Sequence, residues 1–220
     1  MTTGRGASDR RPALQRVRRV IDGLVRDGTA VAWLDGTVHT LFPVAASQAE
    51  GEALSDCVRR ERAAHTIEIG LGYGISALYM CEGLLTNGES TTRHVVIDPH
   101  QATRFADIGV QVLDEAGVAG MVEFHAEQSQ VVLPRFMSQG RAFDLAFVDG
   151  SHHFEAVSAD LLHLGRLVRP GGIVFVDDYQ LPAVARATSF TSTELGWAVE
   201  DVSDPDEHHQ WAVLRTPAAA

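Results

Sequence analysis

Lysine is missing from this sequence of 220 residues. All 18 basic side chains are arginine, set against 29 acidic ones, and the formal charge is −11. Binding to nucleic acid needs clustered cations that displace counterions from phosphates, so that class of partner is not expected. Cysteine is scarce as well. Cys57 and Cys81 lie far apart, in candidate helices and without metal-type spacing, so buried reduced thiols are expected rather than a disulfide or a zinc site. No apolar run is long enough to span a bilayer, and Met1-Thr2-Thr3-Gly4-Arg5 lacks the apolar core of a signal peptide. The expectation is a cytoplasmic protein with no membrane partner. Its length and its 45% hydrophobic content fit one domain, with a short appendage at most.

What is present is an alternation of short elements. Residues 1–12 are polar and read as a loose end. Leu14, Val17, Val20, Ile21, Leu24 and Val25 then recur at helical spacing, on a helix that stops near Gly28. Residues 31–44 have no clean period and suit a short strand or a loop. Trp33 within them is either a core or interface anchor or a substrate lid. Ser47 and Glu50 predict a capping box at the start of a helix that runs to about Ala63. From His65 on, strands at 66–69, 94–97, Val122–His125, Phe143–Val148 and 172–176 alternate with helices at 75–85, 102–116, 131–136 and Phe154–Leu167. Arg169-Pro170-Gly171-Gly172 is a stop signal, and 197–202 with 210–215 suit a closing antiparallel pair. Seven strands of this kind predict an α/β fold: Rossmann-like, doubly wound, with a mostly parallel sheet.

In such a sheet, ligands collect beyond the carboxyl ends of the strands. The run Glu68-Ile69-Gly70-Leu71-Gly72-Tyr73-Gly74-Ile75-Ser76 stands at one of these ends and opens a helix. Its glycines suit either a tight structural turn or the close approach of a ligand to the backbone. Asp98 ends the next strand, 28 residues after Gly70, where a carboxylate can accept hydrogen bonds from a ribose diol. A nicotinamide enzyme is one alternative, although the Gly-x-Gly-x-Gly spacing lacks the third glycine at the usual dinucleotide position.

Two further strand ends carry acids: Asp149-Gly150-Ser151-His152-His153 and Asp177-Asp178-Tyr179. If the two strands are neighbours, these carboxylates converge. At about 4 Å a pair repels by roughly 4 kcal/mol at an effective dielectric near 20, which a proton or a cation must offset. Oxygen ligands of this type suit Mg2+ or Ca2+. The alternative is that one of Asp177 and Asp178 caps a turn while Asp149 serves a buried hydrogen bond. His152 or His153 could act as a general base, with a pKa near 6.5 that leaves the base form abundant at neutral pH, or both could be surface residues. His208 and His209 are expected to be exposed in an acidic loop, although they could reach the same mouth, and His125 is expected to be structural.

On the glycine turn with its preceding acid, over about residues 45–216, the chain resembles the class I S-adenosylmethionine (SAM)-dependent methyltransferases. It is most similar to the metal-dependent, catechol-type O-methyltransferases and to bacterial natural-product methyltransferases. The resemblance implies that Gly70, Gly72 and Gly74 pass the methionine end of SAM, with Glu68 and Ser76 supporting it, and that Asp98 holds the ribose. Gln128 and Ser129 would border adenine; Gln128 departs from the usual Asp, and Leu133-Pro134 follow as in the family. Ser47 and Gln48 match a loop at the cofactor's edge. The resemblance also implies that Asp149, Asp177 and Asp178 hold Mg2+ or another divalent cation, with Asp149 bordering the cofactor too. His152 stands where catechol-type relatives often carry a Lys base. Residues 1–45 would be a helical extension serving as substrate wall or oligomer contact, and 46–220 the SAM-binding domain. The implied activity is O-methylation of a small hydroxylated acceptor (a catechol, vicinal diol or sugar) by a homodimer or higher homo-oligomer. Metal-independent N- or O-methyl transfer and a non-catalytic fold homologue are the alternatives.

Overall fold

The structure, a computed structural model, describes residues 5–89, 91–204 and 209–219. Helix α1 spans Arg5–Asp27, so the polar stretch expected to be loose is helical from Arg5 onward. Adding a residue to an existing helix is far easier than nucleating one, and the apolar face further along supplies the nucleus. That face, with Val17, Ile21 and Leu24, is buried against helix α3, Ile75–Asn87. A small antiparallel hairpin follows, β1 at Thr29–Val31 and β2 at Val38–Thr40. Trp33 is 62% exposed beside it, which rules out the core role weighed for this residue.

Helix α2, Gln48–Arg60, begins at Ser47, whose Oγ accepts from Glu50 N at 3.2 Å. Only half of the expected capping box forms, because the Glu50 carboxyl turns into the interior. Glu50, Leu54, Cys57 and Val58 follow helical spacing and are all buried. Cys57 and Cys81 are both free and buried.

The remaining strands are β3 (His65–Ile69), β4 (Arg93–Ile97), β5 (Val122–His125), β6 (Phe143–Val148), β7 (Val168–Val176), β8 (Ala198–Val202) and β9 (Ala212–Arg215). They form one sheet in the order β5-β4-β3-β6-β7-β9-β8. The first five are parallel, and β9 and β8 close the edge antiparallel, as the sequence predicts. Strand order reverses between β3 and β6, so the ligand-binding crevice of a doubly wound sheet belongs there. Beyond the hairpin, the helices are α4 (Gln101–Arg104), α5 (Ile108–Glu115), α6 (Ser129–Ser138), α7 (Phe154–Leu167) and α8 (Pro182–Glu194).

Two expectations need correction. The single helix predicted over 102–116 is broken into α4 and α5, where Ala106 and Asp107 adopt positive φ and Phe105 packs edge-on to Tyr73 at 5.2 Å. Strand β7 also begins at Val168 and runs through Pro170 and both glycines, where the prediction has a stop. The ladder to β6 absorbs them as a register shift between Phe143 and Leu145.

The pairing sets the site. Ile69 is level with Ile97 and with Val148, and Val148 with Val176. The next residues, Gly70, Asp98, Asp149 and Asp177, therefore stand in one row along the carboxyl edge.

Candidate active site

Beyond this row lies a cavity of about 1010 Å3, lined in part by Gly70, Gly72, Asp98, Gln128, Ser129, Asp149, His152, His153, Asp160, Asp177, Asp178 and His209. That volume is at the upper end for small-molecule sites. Pro43 and Val44 at the end of the N-terminal segment, together with Phe105, close part of its mouth.

The glycine turn is shaped by its neighbours. A Cβ on Gly70, at φ +94°, would lie 2.0 Å from the Asp149 carbonyl oxygen, so only glycine lets β3 and β6 end side by side. Gly72, at φ +51°, faces open space, and its missing side chain leaves the cradle free. Gly74 differs: a Cβ there would sit 2.7 Å from Val112, so this glycine packs α3 onto α5 and does not line the cavity.

Asp98 pins the turn. Its Oδ2 accepts from the backbone N–H groups of Leu71 and Gly72, each at 3.1 Å, and from Gln101 Nε2 at 2.8 Å. Among the described residues its Oδ1 accepts from His100 N alone, at 2.7 Å, which leaves acceptor capacity for a ligand hydroxyl. Glu68 and Ser76 are fully interior and do not line the cavity. Glu68 accepts from Ser76 Oγ and pairs with His94 Nε2 at 3.0 Å, and His94 Nδ1 meets Thr66 Oγ1 at 2.9 Å. Glu68 and Ser76 thus brace the turn from beneath. His94, fully buried and central to this network, carries no sequence motif.

The three aspartates do converge. His152 Nε2 is 2.8 Å from Asp178 Oδ2 and 3.6 Å from Asp149 Oδ1, and His209 Nδ1 is 3.8 Å from Asp178 Oδ1 and 3.9 Å from Asp177 Oδ2. Asp178 sits at φ +55°, a conformation that Asp tolerates better than most residues and that redirects its side chain after β7. A residue that the motifs do not reveal stands behind them. Glu50 is wholly buried and its carboxyl faces that of Asp177; among the described residues no other donor reaches the Glu50 oxygens or Asp177 Oδ1, so the two can pair only through a shared proton.

Burial, reinforced by Asp177, Asp149 and Asp178, pushes the Glu50 carboxyl well above the usual range. Burial also raises Asp149 and Asp177, in each case with repulsion from Asp178 adding to it. Burial works against ionisation of Asp178 too, but His152 beside it outweighs this and holds the group below its ordinary value. Asp149 and Asp178 together raise His152 to about 10; only Asp178 is within hydrogen-bond distance, and Asp149 acts through charge. This corrects the expectation of an abundant base form. With nothing offsetting the carboxylates, His152 is a cation at neutral pH.

His153 is the residue before α7, with extended backbone and no side-chain cap bond. It lines the cavity without meeting the aspartates. Gln128 and Ser129 stand at the start of α6 and line the cavity, and Ser129 hydrogen-bonds the buried Asp160. His125 pairs with Glu123 at 2.8 Å, a structural role as expected, and His208 lies outside the described residues.

The donor set fits a divalent cation. Buried acid oxygens of Glu50 and Asp177 have no donor beyond each other among the described residues, and the atoms of Asp149, His152 and Asp178, and of Asp177, Asp178 and His209, form two groups close enough to share an ion. The open cradle at Gly72 and the spare acceptor on Asp98 fit a nucleoside.

Known proteins share this arrangement of elements. An O-methyltransferase from Bacillus cereus, solved in complex with SAH, superposes with a TM-score of 0.67 at 17% identity, over 93% of this chain and 90% of that one. The O-methyltransferase TomG from Streptomyces achromogenes, involved in tomaymycin synthesis and solved with SAM, gives 0.69 at 21% identity, over 94% and 90%. These likenesses establish the fold. Tricin synthase 2 of Oryza sativa subsp. japonica is 30% identical over 145 residues, which are 64% of this chain and 46% of that protein. The chain spans about half the length of the first curated relatives it matches. The family described as a methyltransferase domain matches residues 67–179, from β3 through the acids after β7. The chain belongs to the methyltransferase domain family.

Proposed function

We propose that the protein is a SAM-dependent O-methyltransferase acting on a small hydroxylated acceptor, with a divalent cation held by Asp149, Asp177 and Asp178. One observation carries this reading: the glycine cradle and the acid nest lie side by side along one sheet edge and open into the same cavity.

When bound, SAM supplies a methyl group on a sulfonium, and a divalent cation favours the ionised form of a hydroxyl beside it. The chain does the rest. Gly70 and Gly72 let the donor lie against the backbone, Asp98 Oδ1 receives a ribose hydroxyl, and Gln128 with Ser129 borders the base. The Asp149, Asp177 and Asp178 carboxylates would hold the cation and, through it, the acceptor end, a positional contribution that can be large. A phenolic hydroxyl, with a pKa near 10, must lose its proton to react. His152 is placed to take that proton once the charge of Asp149 and Asp178 is offset and its own pKa falls toward the ordinary range. Pro43, Val44 and Phe105 supply apolar wall for an aromatic or sugar-bearing acceptor, and a second, vicinal hydroxyl would fix which oxygen reacts. The exposed hairpin at Trp33 is the place we assign to oligomer contact.

The test is transfer of labelled methyl from SAM to a panel of catechols and vicinal diols, with Mg2+ or Mn2+ and with excess chelator. Transfer that stops in chelator and in Asp149→Ala, while SAH still binds, is the expected result. Full turnover in chelator would remove the cation from the mechanism, and failure to bind SAH would remove the methyltransferase reading altogether.

A further inference from the structure

The two imidazoles at the acid nest are not equivalent. His152 is half-exposed, and its Nε2 is satisfied by Asp178 Oδ2 at 2.8 Å. His209 is mostly buried, and its Nδ1 is shielded from solvent with no hydrogen-bond partner. That nitrogen nonetheless lies 3.8 Å from Asp178 Oδ1 and 3.9 Å from Asp177 Oδ2. These separations are too long for hydrogen bonds. They are within the roughly 4 Å that two ligand atoms span when each lies about 2.1 Å from one ion.

We propose that His209 is a nitrogen ligand, so that Asp177, Asp178 and His209 form a mixed nitrogen–oxygen site that takes a first-row transition cation in preference to Mg2+. The inference rests on the cation reading given above and specifies its inner coordination. The three ligand atoms lie close enough together to share one ion.

The acids alone would not carry this. Glu50 supplies an independent sign: it is fully buried, and its carboxyl is turned against that of Asp177 with no other donor to either among the described residues. Two carboxyls facing each other in so dry a place need a shared proton or a cation to offset their repulsion, and a cation at the adjacent Asp177 oxygen would serve. A cation between the imidazole and the two carboxylates would satisfy His209 Nδ1, Asp177 Oδ2 and Asp178 Oδ1 together.

Ligand chemistry sets the metal class. Mg2+ favours near-octahedral oxygen surroundings and keeps its waters, whereas imidazole raises affinity for later first-row ions. The fold explains how the imidazole arrives. Strand β9 runs antiparallel to β7, with Val176 opposite Ala212, and Tyr179 N donates to Gln210 O at 2.7 Å. This extension of the ladder draws His209 alongside Asp178, past the ends of the parallel strands.

The test uses Mn2+, the weakest binder of the first-row series and so the most stringent probe, with Mg2+ as competitor. Mn2+ binding to the full chain is followed by electron paramagnetic resonance, and nitrogen coupling by electron spin-echo modulation. The wild type should bind Mn2+ at least about tenfold more tightly than Mg2+ and show coupling to an imidazole nitrogen. His209→Ala should lose about 10- to 100-fold in Mn2+ affinity, the range typical of a disturbed metal shell, with Mg2+ affinity changing less than about threefold. The nitrogen coupling should vanish in His209→Ala and persist in His152→Ala. Absence of coupling in the wild type, which needs no variant to fold, overturns the assignment, as does coupling that survives in His209→Ala. Equal affinity for the two cations overturns the nitrogen ligand alone. Failure of both to bind overturns the cation reading with it.

Discussion

His152 and Asp178 meet through Nε2 and Oδ2 at 2.8 Å, so one hydrogen bond ties the segment after β6 to the segment after β7. Asp149, 3.6 Å from the same nitrogen, adds a second negative group. The imidazole is therefore a lock between two strand ends, and its charge state matters to the resting protein before any ligand binds.

This lock has a pH window. The folded pKa of His152 is raised to about 10, above an ordinary value near 6.5. The native state holds the proton more tightly than the unfolded chain. The resulting stability is complete below about pH 6.5 and is lost as pH rises through 10. Solvent screens a half-exposed side chain, so the effect is expected to be about 1 kcal/mol, or a fall in Tm of about 2–4 °C, between pH 7 and 10 without divalent cations. His152→Gln should flatten that slope. An unchanged slope in the variant would show that the bond contributes nothing.

The glycine turn gives a contrast between neighbours. Gly70→Ala forces a methyl onto the Asp149 carbonyl at a backbone conformation that disfavours side chains. It should cost at least about 3 kcal/mol in urea unfolding, in line with other changes that combine overpacking and strain. Gly72→Ala meets open space and should cost only the left-handed penalty of about 1–2 kcal/mol, yet weaken SAH binding by tenfold or more, because Gly72 lines the cavity. Calorimetric titration with SAH separates the two variants.

His94 should prove structural. Its loss in His94→Ala strips a buried Glu68 oxygen of its partner, and breaking buried pairs of this type costs about 3–5 kcal/mol. The expected result is a protein destabilised by that amount, with the cavity residues otherwise unchanged. Stability equal to wild type would exclude the bracing role of Glu68 and His94.

Asp160 predicts the opposite sign. Burial raises its pKa to about 6, offset in part by Ser129. The folded state then holds a proton that the unfolded chain releases near pH 4, so this group's contribution to stability falls as pH rises from about 4 to 6 and stays low above. Asp160→Asn removes the loss. The variant should match wild type near pH 4 and exceed it by about 2–3 kcal/mol at pH 7.5, read from chemical denaturation at both pH values.

The sheet and three of its acids were legible because strands and their ends carry local patterns. The runs at Phe143–Val148 and 172–176 are apolar throughout, and Asp149, Asp177 and Asp178 follow them directly. Glu50 was hidden by its own local logic. Three residues after Ser47 it satisfies a capping rule, and only its alignment with Leu54, Cys57 and Val58 betrays that it points inward. His209 depends on the register of β9 against β7, a long-range pairing that no local window contains. The break between α4 and α5 escaped for a similar reason, since Ala106 and Asp107 carry no breaker signal and the kink comes with the packing of Phe105.

The reversed direction of β9 has a consequence for how this architecture can diversify. A parallel final strand would begin at the opposite edge, and its leading loop would lie a full strand length from the chemistry. Because β9 enters from the carboxyl edge, the described residues that lead into it, 209–211, begin beside the acids. Substitution at His209 would reshape the acid side of the cavity while leaving the glycine turn, four strands away along the sheet from β8, untouched.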